Sequence, residues 1–527
     1  MIEFQDLTFA YPAPDMAAPE SAPGPVLRGV SLRFGRGDLA LVTGPTGVGK
    51  STLLRAVNGL VPHFTGGKLT GRVLVDGRSA SDEPPRKLAD LVGYVGQDPA
   101  AGFVADRVDD ELAYALEQLG TPVPTMRARV EEIIDLFGLG EFRARDPGAL
   151  SAGQAQRVAI GAALTAHPKV LVLDEPTSAL DPAAAEDLMA AIGRLVDDLD
   201  ITVIMAEHRL ERVIQLADQV IRVHPGGAVD IGPPRAQLAD SAVAPPLVRL
   251  ARALRLDPLP LTVREARRAV RAWTQLHDAV PTAPAPAALP PPGSPTAPPT
   301  AAAGPVVLSK RGISFSHPGP VHAVRGVDLD IYGGEVTGMM GRNGAGKTSL
   351  LWALAQDRAV RDQMALVPSE PTDLFCASTV RAELPTPAAD AALDWLAPGI
   401  RRASHPRDLS EGQQLALALA VQLTAQTELV ALDEPTRGLD YDAKDRLTQL
   451  LRQLAQQGRG VLVASHDVEF LAGAADRIVW LAEGRVVADG RAADLLLSVP
   501  AHAPQVAKVT APANHLTVEA ALAAMGV

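Results

Sequence analysis

The stretch GPTGVGKS, Gly44 to Ser51, decides the fold. It fits G-x-x-x-x-G-K-[ST], follows an apolar run, LALVTG (Leu39 to Gly44), and opens the helix-like STLLRAVNGL. A strand before and a helix after is the context in which this motif holds phosphate. Glycines let backbone N–H groups turn inward around phosphate oxygens, and the helix N-terminus adds positive potential. Lys50 supplies a point charge for the β- and γ-phosphates, and Ser51 offers a hydroxyl to Mg2+. Gly44, Thr46, Gly47, Gly49, Lys50, Ser51 and Thr52 are the candidate nucleotide contacts. A chance glycine-rich turn is the bland alternative. A second copy argues against it: GRNGAGKT offers Gly341, Asn343, Gly344, Gly346, Lys347, Thr348 and the following Ser349 in the same pattern.

Working outward, the whole neighbourhood is duplicated. LRGVSL near Leu27 returns as VRGVDL near Val324, and LSAGQ at Leu150 as LSEGQ at Leu409. LVLDEPTSALD, ending at Asp181, returns as VALDEPTRGLD, ending at Asp440, and AEH at Ala206 as ASH. The offset between copies is the same for Gly29 and Gly326 as for Lys50 and Lys347. It takes a second, smaller constant value from Ser151 and Ser410 to Asp174 and Asp433. The second copy is therefore shortened between its lysine and its LSEGQ. Within each copy, runs that are apolar at nearly every position alternate with helical periodicity, as in VLVLDE (Val170 to Glu175) and ITVIMAEH (Ile201 to His208). Such runs suit strands covered on both faces, so an α/β fold with a mostly parallel sheet is expected.

Asp174 and Asp433 close apolar strands, where a carboxylate faces the crevice at the strand ends and can hold Mg2+ through water. Glu175 and Glu434 follow as candidate general bases for the attacking water; a strand-ending turn is the alternative. His208 and His466 each end a later strand, at nearly the same distance past the aspartate in both copies. A lone histidine is usually a satisfied core or surface residue, but a duplicated one at the catalytic edge favours γ-phosphate contact. Ser151, Gly153 and Gln154, like Ser410, Gly412 and Gln413, open helices. They read equally as N-caps or as a second anion site, and the two roles are compatible.

The chain has 527 residues, 47% apolar and 21% charged, which suits packed domains. A net charge of −12 speaks against holding nucleic acid by charge. The single cysteine, Cys376, excludes an intramolecular disulfide. MIEFQDLTF lacks the features of a signal peptide, and the apolar run Leu415 to Val421 is far short of a membrane span, so an intracellular chain is expected. Pro281 to Pro305 interleaves many prolines with Ala, Thr, Ser and Gly, and reads as an extended tether between two domains. The expected organisation is a first domain at 1–245, a helical extension of it at 246–280, the linker at 281–305, a shortened second domain at 306–495 and a tail at 496–527.

Taken in this order, the elements resemble the ATP-binding cassette (ABC) ATPases over roughly residues 1–240 and 306–495. The resemblance implies two tandem P-loop cassettes, each a sheet core with a helical subdomain, that hydrolyse ATP with Mg2+. It implies Walker A at both glycine loops, signatures at Leu150–Gln154 and Leu409–Gln413, D-loops at Ser178–Asp181 and Arg437–Asp440, and switch histidines. It also implies a head-to-tail pair, in which Ser410 and Gly412 cap the ATP on Lys50 while Ser151 and Gly153 cap the ATP on Lys347. The linker would make that closure intramolecular. PHFTGGKLTGRVLVDG (Pro62 to Gly77) and the stretch Val92 to Gly120 further resemble ATPase subunits of energy-coupling-factor importers for vitamins and metals. That implies separate transmembrane subunits, a separate substrate-binding membrane component and a place at the cytoplasmic face of the membrane. Gln97 then belongs to the Q-loop, which reads the metal and γ-phosphate and abuts the transmembrane subunit. Val108, Leu112, Leu116 and Leu119 nearby also form a core-facing helical stripe. The metal set implied is Ser51, Gln97, Asp174, Thr348 and Asp433. The second copy departs from the pattern, with Ser369 aligned to Gln97 and His317 to Tyr11, the residue that would stack on adenine. A slower site on Lys347 is expected. The rival reading is a soluble tandem cassette acting on ribosomes or nucleic acid; the Pro/Ala-rich linker and acidic charge oppose it.

Overall fold

The computed structural model describes residues 2–12, 24–277, 304–317 and 322–527, which divide into two compact units, Met1–Ala244 and Pro245–Val527. In the first unit, β1 (Ile2–Ala10), β2 (Leu27–Phe34), β4 (Lys68–Val75) and β5 (Arg78–Ser79) make an antiparallel sheet in the order β2-β1-β4-β5. A second sheet runs β10-β9-β3-β8-β7-β6, from β3 (Leu39–Thr43), β6 (Val92–Val95), β7 (Val170–Asp174), β8 (Thr202–Ala206), β9 (Gln219–Val223) and β10 (Val229–Gly232). All but the β9–β10 pair are parallel. Every residue of β3, β7 and β8 is buried, as the unbroken apolar runs predict. The helices Val108–Gln118, Val123–Phe137 and Ala152–Thr165 pack together as a helical subdomain. Val108, Leu112 and Leu116 are buried in it, but Leu119 is 42% exposed: it falls one residue past the helix end, where the periodicity no longer holds.

The second unit repeats the six-stranded order strand for strand: β18 (Arg485–Arg491), β17 (Arg477–Ala482), β13 (Val336–Met340), β16 (Gly460–Ala464), β15 (Leu429–Asp433) and β14 (Met364–Val367). Its antiparallel sheet keeps only β11 (Val306–Ser316) and β12 (His322–Tyr332). The shortening falls in two places. Between Lys50 and the start of β6 at Val92 the first unit fits β4 and β5; between Lys347 and the start of β14 at Met364 the chain passes through helices alone. The counterparts of β4 and β5, including the TGRVLVDG strand region, are gone. The path from β14 to Ser410 is also shorter than that from β6 to Ser151, which reduces the helical subdomain to the helices Val380–Glu383, Pro387–Leu396 and Glu411–Gln422.

The helical extension lies elsewhere than expected. Its helices Pro246–Ala253 and Val263–Leu276 pack on Gln505–Thr510 and Val518–Met525 at the end of the chain, within the second unit. Leu247, Val248, Leu250, Val270, Val506 and Val509 are buried there. Arg249 pairs with Asp445 at 3.4 Å and Glu519 at 3.2 Å, and Arg267 Nε donates to the Lys508 carbonyl at 2.8 Å. Apolar faces on both segments explain the pairing, since each buries its face against the other. The proline-rich stretch, all but Gly304 and Pro305 outside the described residues, thus joins two parts of one unit. The covalent step between units is the Ala244–Pro245 peptide. Among the described residues, no helix is long and apolar enough to cross a membrane.

Candidate nucleotide-binding sites

In the first unit β3, β7 and β8 run parallel, so their carboxyl ends share one edge and bring distant residues together there. The loop after β3 opens at Gly44 with φ +153°, where a Cβ would come within 2.4 Å of the Val223 carbonyl, a close approach only glycine allows. Lys50 is buried and donates back to the carbonyls of Gly44 at 2.9 Å and Pro45 at 3.0 Å. Ser51 Oγ donates to Asp174 Oδ1 at 3.1 Å, leaving Asp174 Oδ2 buried with no hydrogen-bond partner among the described residues. Burial, then the neighbouring Glu175 charge, pushes the Asp174 carboxyl up to about 6 against the pull of Ser51 and Lys50. Glu175 sits at φ +53°, is bonded to His208 Nε2 at 2.9 Å and accepts from Gln97 Nε2 at 3.4 Å. Tyr11 lies edge-on to Phe9 and bonds Thr52 through its hydroxyl at 2.9 Å.

The second unit rebuilds this site. Gly341, at φ +154°, meets the Leu481 carbonyl as Gly44 meets that of Val223. Lys347 donates to Gly341 O at 2.9 Å and lies 3.5 Å from Glu434, which in turn pairs with His466 Nδ1 at 2.8 Å. Glu434 also has a positive φ, +48°. Asp433, bonded to Thr348, is pushed to about 6 chiefly by burial, and its Oδ1 has no hydrogen-bond partner among the described residues. His317 Nε2 bonds Ser349 Oγ at 3.0 Å and lies edge-on to Phe315, the seat that Tyr11 holds in the first unit.

The signature residues form capping boxes. Ser151 Oγ accepts from Gln154 N while Gln154 Oε1 accepts from Ser151 N, and Ser410 and Gln413 do the same. Gly153 and Gly412 lie in the first turns of these helices. Among the described residues, none of these bonds reaches the lysine loop of the same cassette. Between the sheet and the helical subdomain of the first unit lies a groove of about 730 Å³, lined by Tyr94, Gln97, Phe103, Ala159, Ala162 and Ala163 among others. Phe64 stands at it 84% exposed. The sequence assigns no role to Glu207, which is buried and accepts from Thr177 N at 2.8 Å, and places Arg437 only as the first residue of a D-loop. The signal for both was the contrast of AEH with ASH and of EPTSALD with EPTRGLD.

Two P-loops at the carboxyl edges of twin parallel sheets, each backed by its own acidic pair, make this a double-cassette ATPase of the P-loop class. The chain belongs to the ABC transporter family, whose model matches residues 27–178 and 324–437. A protein of Streptomyces coelicolor, provisionally named an ABC transporter ATP-binding protein, is 49% identical over 98% of this chain and 99% of its own. One of the same provisional name from Methanosarcina mazei is 31% identical over 94% of this chain and 90% of its own. Among solved structures, a chain in the complex of archaeal ribosomal stalk protein aP1 and archaeal ribosome recycling factor aABCE1 superposes with a TM-score of 0.55. It covers 88% of this chain and 87% of that chain at 21% identity, a likeness of fold alone.

Proposed function

We propose that this ATPase powers import through separate transmembrane proteins at the cytoplasmic face of the membrane, as an energy-coupling-factor subunit for a vitamin or metal. Each ATP is sandwiched between the lysine loop of one cassette and the signature of the other. The observation that carries the membrane reading is the first-unit groove. Small side chains at Ala159, Ala162 and Ala163 line it, Phe64 offers an exposed apolar contact, and Gln97, also lining it, bonds Glu175. A partner lodged there touches the residue that holds the hydrolytic glutamate.

The residues fit Mg2+ and ATP. A hydroxyl paired with a carboxylate that keeps one buried, unpartnered oxygen is a hard oxygen donor set suited to Mg2+, as Ser51–Asp174 and Thr348–Asp433 provide. The glycine loops bring backbone to where a Cβ would collide. Bound MgATP supplies the phosphoryl group and neutralises its charge. Lys50 and Lys347 exchange loop carbonyls for phosphate oxygens. Glu175 and Glu434 accept the proton of the attacking water at a carboxylate oxygen, and His208 and His466 hold that carboxylate in place. Tyr11 gives adenine a flat ring.

The experiment is reconstitution with the membrane protein that a photo-crosslinker at Phe64 captures. We expect a multispanning protein that stimulates ATPase, and Ala162→Arg should abolish that stimulation while leaving basal hydrolysis within about twofold. Crosslinks to ribosomal proteins, or stimulation indifferent to Ala162→Arg, would refute the reading.

A further inference from the structure

One guanidinium in the second unit joins three parts of the cassette. Arg437, in the D-loop, donates to Glu370 Oε1 at 2.8 Å and lies 3.4 Å from Glu411 Oε1. Glu370 stands where the chain leaves β14 for the helical subdomain, and Glu411 is the first residue of the signature helix, where it returns. The segment between them therefore begins and ends on one side chain of the core. Gly438 makes the approach possible. It has φ +66°, and a Cβ there would lie 2.8 Å from the Glu411 Cβ.

The first unit keeps a carboxylate at one of these positions but lacks the guanidinium, the second carboxylate and the glycine. Its aligned residues are Asp98 for Glu370, Ala152 for Glu411, Ser178 for Arg437 and Ala179 for Gly438. Three positions change chemistry together while the fourth stays acidic, and the second-unit set is mutually complementary in charge and space. Gln97, the first unit's link from this hinge to the hydrolytic glutamate, is replaced at the same hinge by Ser369.

We propose that Arg437 is a positioning residue that pins the second cassette's helical subdomain to its core, so that Ser410 and Gly412 are presented in one orientation whatever nucleotide Lys347 holds. The first cassette's subdomain, without the pin, follows its nucleotide through Gln97. The pin stands on the geometry above. Its purpose, a preorganised cap for the ATP on Lys50, rests on the sandwich reading.

Two readouts on the full chain separate these. Without nucleotide, Arg437→Ser and the double variant Glu370→Gln/Glu411→Gln should each speed amide exchange in 380–396 by about threefold to tenfold, the range expected for losing a partly exposed ion-pair set. Exchange in 108–137 should stay as it was. Arg437→Lys keeps the charge but not the planar fork, and should restore protection only in part. With ATP, the KM should rise roughly fivefold in Arg437→Ser with kcat little changed, because closure now bears the ordering that the pin had supplied. Unchanged exchange in 380–396 overturns the pin, whatever ATP does. Faster exchange with an unchanged KM supports the pin and overturns the sandwich presentation.

Discussion

Asp174 and Asp433 show how a single side chain is tuned by where its strand ends. Each closes a fully buried strand, and desolvation raises its carboxyl from 3.8 to about 6. An acid whose folded pKa exceeds its unfolded one binds its proton more tightly when folded, so its contribution to stability falls as pH rises between those values. Ligand-free protein should therefore gain stability from these two groups on acidification from pH 7 towards 5. Asp174→Asn combined with Asp433→Asn should flatten that part of the slope. Denaturation midpoints at stepped pH measure it, and an identical slope in the double variant would contradict the assignment. Glu175 and Glu434 illustrate a different cost. Both sit at positive φ, a conformation worth about 1–3 kcal/mol of strain, and both are anchored through their N–H to the neighbouring strand's carbonyl, Ala206 or Ala464. The same strained φ recurs at the matching residue of both copies, a shared constraint that residue identity alone does not reveal.

The elements most legible in the sequence were those with one possible home. β3, β7 and β8, and their twins, read directly as buried strands because an apolar run of that length has nowhere else to go. The lysine loops, acidic pairs and histidines then follow from strand ends. Contacts set by packing were not legible. Leu119 carried the right spacing but fell beyond its helix, and the helices Pro246–Ala253 and Val263–Leu276 carried apolar faces with no hint of their partner. Hydrophobic periodicity says that a face is buried, not against what. The pairing with Gln505–Thr510 and Val518–Met525 yields its own prediction. Val270→Asp places a charge in that buried seam and should destabilise the second unit by about 3 kcal/mol. Limited proteolysis should then leave an intact fragment ending near Ala244. Simultaneous loss of the first unit would mean the seam supports both.

The molecule as a whole is a duplication whose halves have diverged. The second cassette keeps its lysine, acidic pair and histidine but lacks two antiparallel strands and part of the helical subdomain of the first, and has Ser369 where the first has Gln97. In the first, Gln97 reaches Glu175, a bond that the shorter Ser369 side chain cannot span. Turnover should accordingly be carried by the first site. In the reconstituted complex, Glu175→Gln should cut ATPase activity by about a hundredfold or more, in the range lost with a general base, and Glu434→Gln by less than about half. Equal residual rates would remove the asymmetry. The route of the chain adds a practical consequence. Anyone seeking to express the two cassettes as separate polypeptides would be drawn to cut in the proline-rich stretch, yet that cut leaves two helices stranded on the wrong fragment, their greasy sides bare and their counterparts gone. The natural seam for dividing this gene lies well upstream, at Ala244.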